Sequence, residues 1–108
     1  MSEREEQEKF FDALCRWGII VRNRGYTVTG GDFYRDPRAT FPYSSPHSFH
    51  ARRLAFDPNL FRDGVYLSTV EEWQEAGELW ESLGGSWGGR FTGPNAGDAN
   101  HLSWGETR

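Results

Sequence analysis

Apolar residues Phe10, Leu14, Trp17 and Val21 recur at the spacing of one helix face, and Ser2 followed by Glu5 forms a capping box ahead of them. This pattern predicts a first helix that ends near Gly18, with the apolar face as core. Cys15 lies inside the same apolar-periodic stretch and reads as buried packing, not as a nucleophile. After Arg24-Gly25, the run YTVT is a short β-type segment. Residues 30–49 follow with no sustained period and are rich in Gly, Pro, Ser and Tyr; loops of this length in compact domains are usually functional or disordered.

LAFDPNLF alternates, meets the turn signal Asp63-Gly64 and resumes in VYL, which predicts a strand with a hairpin-like return and puts Asp57 on that strand or just at its end. A second helix is expected from Ser68 or Thr69, each with a glutamate three residues on, to Gly84-Gly85. Trp73, Ala76, Trp80 and Leu83 share one of its faces, and the tryptophans read as core. The tail is glycine-rich until HLSW, a short final strand. The order helix, strands, helix, strand predicts an α+β fold, a small and largely antiparallel sheet packed with helices, in a single domain over residues 1–108.

Composition narrows the class. Of the 108 residues 16% are aromatic, five of them Trp, but only 36% are hydrophobic, so the core depends on a few large rings. With a net charge of −4 and basic residues scattered instead of massed in a stripe, nothing recommends nucleic acid as a partner. A lone cysteine excludes an internal disulfide. The N-terminus MSEREEQEKFF is acidic and helical, unlike a secretory signal, and no segment approaches the length of a membrane span. The chain is therefore expected to be made in the cytosol as a monomer without membrane insertion. Another factor would carry it to any substrate beyond the membrane.

The candidate chemistry lies in SFHARRLAFD and DANH. Zinc favours imidazole nitrogen and carboxylate oxygen, and a catalytic site takes three protein ligands with one position left open. His50, Asp57 and His101 can supply such a set. Asp98, three residues before His101, can face the same ion without ligating it, where a general base is needed. Taken singly, a surface histidine or a strand-end aspartate is ordinary. His47 and His50 form a rival H-x-x-H pair, but Pro46 and Ser48 disfavour a sustained helix there, and only His50 stands seven residues before Asp57.

The segment Ser48 to Asp57 resembles the S-x-H-x-x-G-x-A-x-D motif of the D-alanyl-D-alanine carboxypeptidase-type zinc peptidases, and Asp98-Ala99-Asn100-His101 resembles that family's second motif. The run LAFDPNLFRDGVYL, the Trp-rich helix and WGGRF are similar to short phage-type endolysins that cut peptidoglycan stem peptides. The likeness spans roughly residues 26 to 104. It implies a hedgehog/DD-peptidase-like fold, Zn2+ held by His50, Asp57 and His101, and Asp98 as the base that takes a proton from the attacking water.

The resemblance further implies that Arg35 steadies the carbonyl oxygen, with Arg38 close by in the same loop. It leaves His47 and Ser48 as substrate-side residues. The implied activity is hydrolysis of an amide in the peptidoglycan stem peptide, the L-alanyl-D-glutamate bond being favoured. A D-Ala-D-Ala carboxypeptidase or dipeptidase is the alternative, as is a zinc-containing, non-catalytic cell-wall-binding module, against which the presence of Asp98 argues. Two departures stand out. Arg53 occupies the motif's glycine position, which implies a backbone with no need of a left-handed conformation. The base is Asp where many relatives carry Glu, so the turn before His101 must sit closer to the metal.

Overall fold

The computed structural model describes residues 1–34 and 48–107. Arg35, Arg38 and His47 lie outside these described residues. Among the described residues the helices and strands run in the order α1 (Glu3–Asn23), β1 (Tyr26–Asp32), β2 (Ala55–Arg62), β3 (Val65–Leu67), α2 (Gln74–Ser82), β4 (Ser86–Trp87) and β5 (Leu102–Ser103), with 3-10 turns at Gly88–Arg90 and Gly93–Asn95 between β4 and β5. All strand pairings are antiparallel, which makes the fold α+β as expected.

The predicted capping box opens α1: Glu5 N–H donates to Ser2 Oγ and Ser2 N–H to the Glu5 carboxylate. The helix passes through Gly18, however, and ends only at Asn23. A single helical glycine costs about 1 kcal/mol, and burial of Val21 beside Phe10, Ala13 and Trp17 outweighs it. Gly25, at a φ of 92°, then turns the chain into β1. Cys15 is exposed, contrary to the expectation of a core position. It stands about 200° around the helix from Trp17, on the outer face. At α2, Thr69 and Glu72 do cap each other, but they open a turn, and the helix itself begins at Gln74.

One hydrophobic cluster joins both helices to the sheet, with Trp17, Trp73, Trp80 and Trp87 all fully buried. Each indole N–H reaches a backbone carbonyl, at Ala76, Leu67, Ser86 with Ser103, and Ala99 respectively, so the rings bury no unsatisfied donor. Trp17 also stacks on Trp73, with centroids 6.0 Å apart, which locks α1 to α2.

β2 is the strand that positions the site. β1 runs along one edge of it, while β5 pairs its start through Ala55 and Phe56 and β3 pairs its end from Leu60 to Arg62. Pro58 is buried within this inner strand and has no N–H for the ladder. The register accommodates it by a bulge in β1 between Thr29 and Asp32, where Asn59 donates its side-chain amide to the Gly30 carbonyl. Gly31 lies so close to β2 that a Cβ there would overlap the carbonyl oxygen of Asp57.

Candidate metal centre

The turn carrying His50 is built by the residues on either side of it. Ser48 Oγ accepts from Ala51 N–H at 3.2 Å and caps the start. At the far end Arg53 N–H bonds the His50 carbonyl and Leu54 N–H the Phe49 carbonyl, the paired closure of a Schellman motif. Arg53 takes the left-handed position of that motif, with a φ of 58°. The expectation that an arginine there excludes the left-handed conformation is therefore wrong. Two backbone hydrogen bonds and the docking of Leu54 in the core hold it there, and the guanidinium lies over the Tyr34 ring at 4.1 Å. The chain leaves this turn directly into β2 and reaches Asp57.

The second half of the site rests on β4 and the turn before β5. Gly88 donates to the His101 carbonyl and accepts from Asp98 N–H, Trp87 donates to the Ala99 carbonyl, and Asn100 donates to the Pro58 carbonyl. Four hydrogen bonds thus tie the DANH turn to β2, to Trp87 of β4 and to Gly88 directly after it, which brings His101 against Asp57 across 44 residues of sequence.

His50, Asp57 and His101 come together, with one ligand atom from each lying within 4.8 Å of the others. His50 Nε2 is 3.1 Å from one oxygen of the Asp57 carboxylate, and His101 Nδ1 is 2.9 Å from the other. The remote ring nitrogens are tied down too. His50 Nδ1 is 2.9 Å from the Phe33 carbonyl, which can only accept, so Nδ1 donates to it and Nε2 is the nitrogen that faces Asp57. His101 Nε2 is 2.6 Å from Oε1 of Glu106, a buried carboxylate that no sequence motif indicated. Asp98 stands further back, its carboxylate 44% exposed and 4.0 Å from His101 Nδ1.

Burial opposes charge on Asp57, but its hydrogen bonds with His101 and His50, and their charge, hold its pKa at about 2. Burial also disfavours charging His101, yet hydrogen bonds to Asp57 and Glu106 lift it to about 9. At neutral pH the metal-free His101 ring accordingly carries both protons.

The donor set fits zinc. A tetrahedral ion with nitrogen and oxygen ligands at 2.0–2.2 Å spaces its donors about 3.4 Å apart; the two nitrogen–oxygen separations here, 3.1 and 2.9 Å, lie a few tenths of an ångström below that, and the three donors together lie within 4.8 Å of one another. Each histidine has its outer nitrogen fixed by an acceptor, the usual outer support of a metal-ligating imidazole. His50, Asp57 and His101 would hold the ion, Nδ1 of His101 giving up its proton to do so.

Residues 43–104 match the family model described as D-alanyl-D-alanine carboxypeptidase. The chain belongs to this family. The match holds both halves of the candidate metal centre, from before the His50 turn to the end of β5, and stops two residues short of Glu106. As a member of the D-alanyl-D-alanine carboxypeptidase family the chain is a peptidase whose substrates are peptidoglycan-related, and the family's peptidases are zinc enzymes. No curated protein matches the sequence. Among the described residues no helix is long and apolar enough to cross a membrane.

Proposed function

We propose that this D-alanyl-D-alanine carboxypeptidase family member is a zinc peptidase of the phage endolysin type, hydrolysing the L-alanyl-D-glutamate amide of the peptidoglycan stem peptide. The observation that carries the reading is the convergence of His50 Nε2 and His101 Nδ1 on the Asp57 carboxylate, with a second carboxylate, Asp98, set just behind. Zinc bound there would acidify a water and polarise the scissile carbonyl.

The chain's own residues supply the rest. Asp98 is near enough to take a proton from the attacking water and far enough to stay off the ion, and its exposure gives it a path to return that proton to the leaving amine. Ser48 is occupied in capping the His50 turn, which suits a mechanism of direct water attack without a covalent enzyme intermediate. Arg35 is assigned to the developing oxyanion, and His47 to the substrate side. Phage-type sequences resemble this chain both in the aspartate base and in the LAFDPNLFRDGVYL run.

The test is mass spectrometry of purified peptidoglycan fragments incubated with the zinc-loaded protein. New N-terminal D-glutamate ends are expected. Release of a terminal D-alanine would move the assignment to a carboxypeptidase, and binding without any new terminus would make the domain a wall-binding module.

A further inference from the structure

After β5 the chain turns at Gly105, with a φ of 86°, and brings Glu106 back beneath His101. Glu106 is only 8% exposed, and burying a carboxylate is costly unless it is well paired. It contacts the one nitrogen of His101 that does not face Asp57.

The two histidines face the Asp57 carboxylate through opposite ring nitrogens, and the difference traces to what holds each ring from outside. His50 donates its Nδ1 proton to a neutral main-chain carbonyl, at Phe33, and presents Nε2. His101 contacts a charged carboxylate with Nε2 and presents Nδ1. A histidine with no such partner interconverts its tautomers and turns its ring, and only some of those states can ligate.

We propose that Glu106 is a positioning residue for the metal centre: its carboxylate accepts the Nε2 proton of His101, fixes the tautomer with Nδ1 free to ligate, and makes that imidazole a stronger donor. This rests on the reading of His50, Asp57 and His101 as metal ligands. It gives the centre a further negative charge close to a dication, besides Asp57 and Asp98 and one ring away from Asp57. It also makes the C-terminal stretch beyond β5, which lies past the family match, part of the functional apparatus.

The experiment uses the full chain and its Glu106→Ala, Glu106→Gln and His101→Ala variants, each checked for folding by circular dichroism. Zinc affinity is measured by competition with a chromophoric chelator, and the ring tautomers of the zinc-loaded proteins by long-range proton–nitrogen correlation spectra. The parent protein is expected to show one histidine protonated at Nδ1 and another at Nε2. Glu106→Ala should weaken zinc binding by about 10- to 100-fold and lose the defined His101 tautomer. Glu106→Gln, whose amide oxygen still accepts the proton but carries no charge, should restore the tautomer and recover part of the affinity.

Unchanged zinc affinity and an unchanged His101 signal in Glu106→Ala would overturn the proposal. So would equal losses of zinc in both Glu106 variants with the Nε2-protonated tautomer intact, since that pattern belongs to a residue that merely anchors the tail. Failure of the parent protein to bind zinc, or full affinity in His101→Ala, would remove the metal centre itself and the proposal with it.

Discussion

The amide of Gly88 donates to the carbonyl of His101 at 2.7 Å, and the glycine packs so tightly that a Cβ would lie 2.8 Å from the His101 Cβ and overlap the Asp98 carbonyl oxygen. Gly88, directly after β4, therefore acts as a template for the turn that carries Asp98 and His101. Gly88→Ala should push this turn off β4 and cost about 1–3 kcal/mol, as overpacking does. The variant should also lose zinc affinity. Urea unfolding and chelator competition measure the two effects, and parent-like values in both would show that the turn is held some other way.

Arg53 pays for its left-handed conformation at the end of the His50 turn. Replacing it by either Gly or Ala removes the contact with Tyr34, so the comparison of those two variants isolates the backbone term. Arg53→Gly should be more stable than Arg53→Ala by about 1 kcal/mol, the reverse of the order at an ordinary position. Chemical denaturation of the two metal-free variants decides this.

Much of the architecture was legible because its signals are local. The capping box at Ser2 and Glu5, the Asp63-Gly64 return and the tryptophan face of α2 each occupy a few consecutive residues. Half of the His50–Asp57–His101 cluster was legible as a spacing, His50 to Asp57, because a one-turn cap and a strand fix that distance along the chain. The exposure of Cys15 and the continuation of α1 past Gly18 were not, since burial of Trp17 and Val21 decides the helix face and its length. The left-handed Arg53 escaped because tertiary bonds impose a backbone state that arginine disfavours. Glu106 and the Phe33 carbonyl escaped because their partners are reached only through the folded tail and the end of β1.

The shifted groups set a pH dependence for the metal-free protein. His101 has a folded pKa of about 9 against an ordinary 6.5, so its stabilising contribution is complete below about 6.5 and disappears as pH rises toward 9. Asp57 runs the other way: its pKa of about 2 against 3.8 gives stability that is complete above about 4 and is lost as pH falls toward 2. Denaturant titrations after chelator treatment should show a stability plateau between about pH 4 and 6.5 and a decline between 6.5 and 9. His101→Phe should flatten that decline. Zinc affinity should rise over the same alkaline interval, because the ion must displace the Nδ1 proton.

Asp98→Asn preserves the size of the side chain but cannot accept a proton. At 4.0 Å from His101 Nδ1 the residue lies behind the ligands, so zinc content and folding should persist. Turnover on stem-peptide fragments should fall by about two to four orders of magnitude. Loss of zinc along with activity would make Asp98 a ligand, and unchanged turnover would place the base elsewhere.

The most direct measurement is metal stoichiometry by elemental mass spectrometry of the purified chain and its His50→Ala, Asp57→Ala and His101→Ala variants. About one zinc per chain is predicted for the parent protein, with the metal lost from each variant while α1 and the sheet remain folded. Full zinc retention by His50→Ala or His101→Ala would contradict the account.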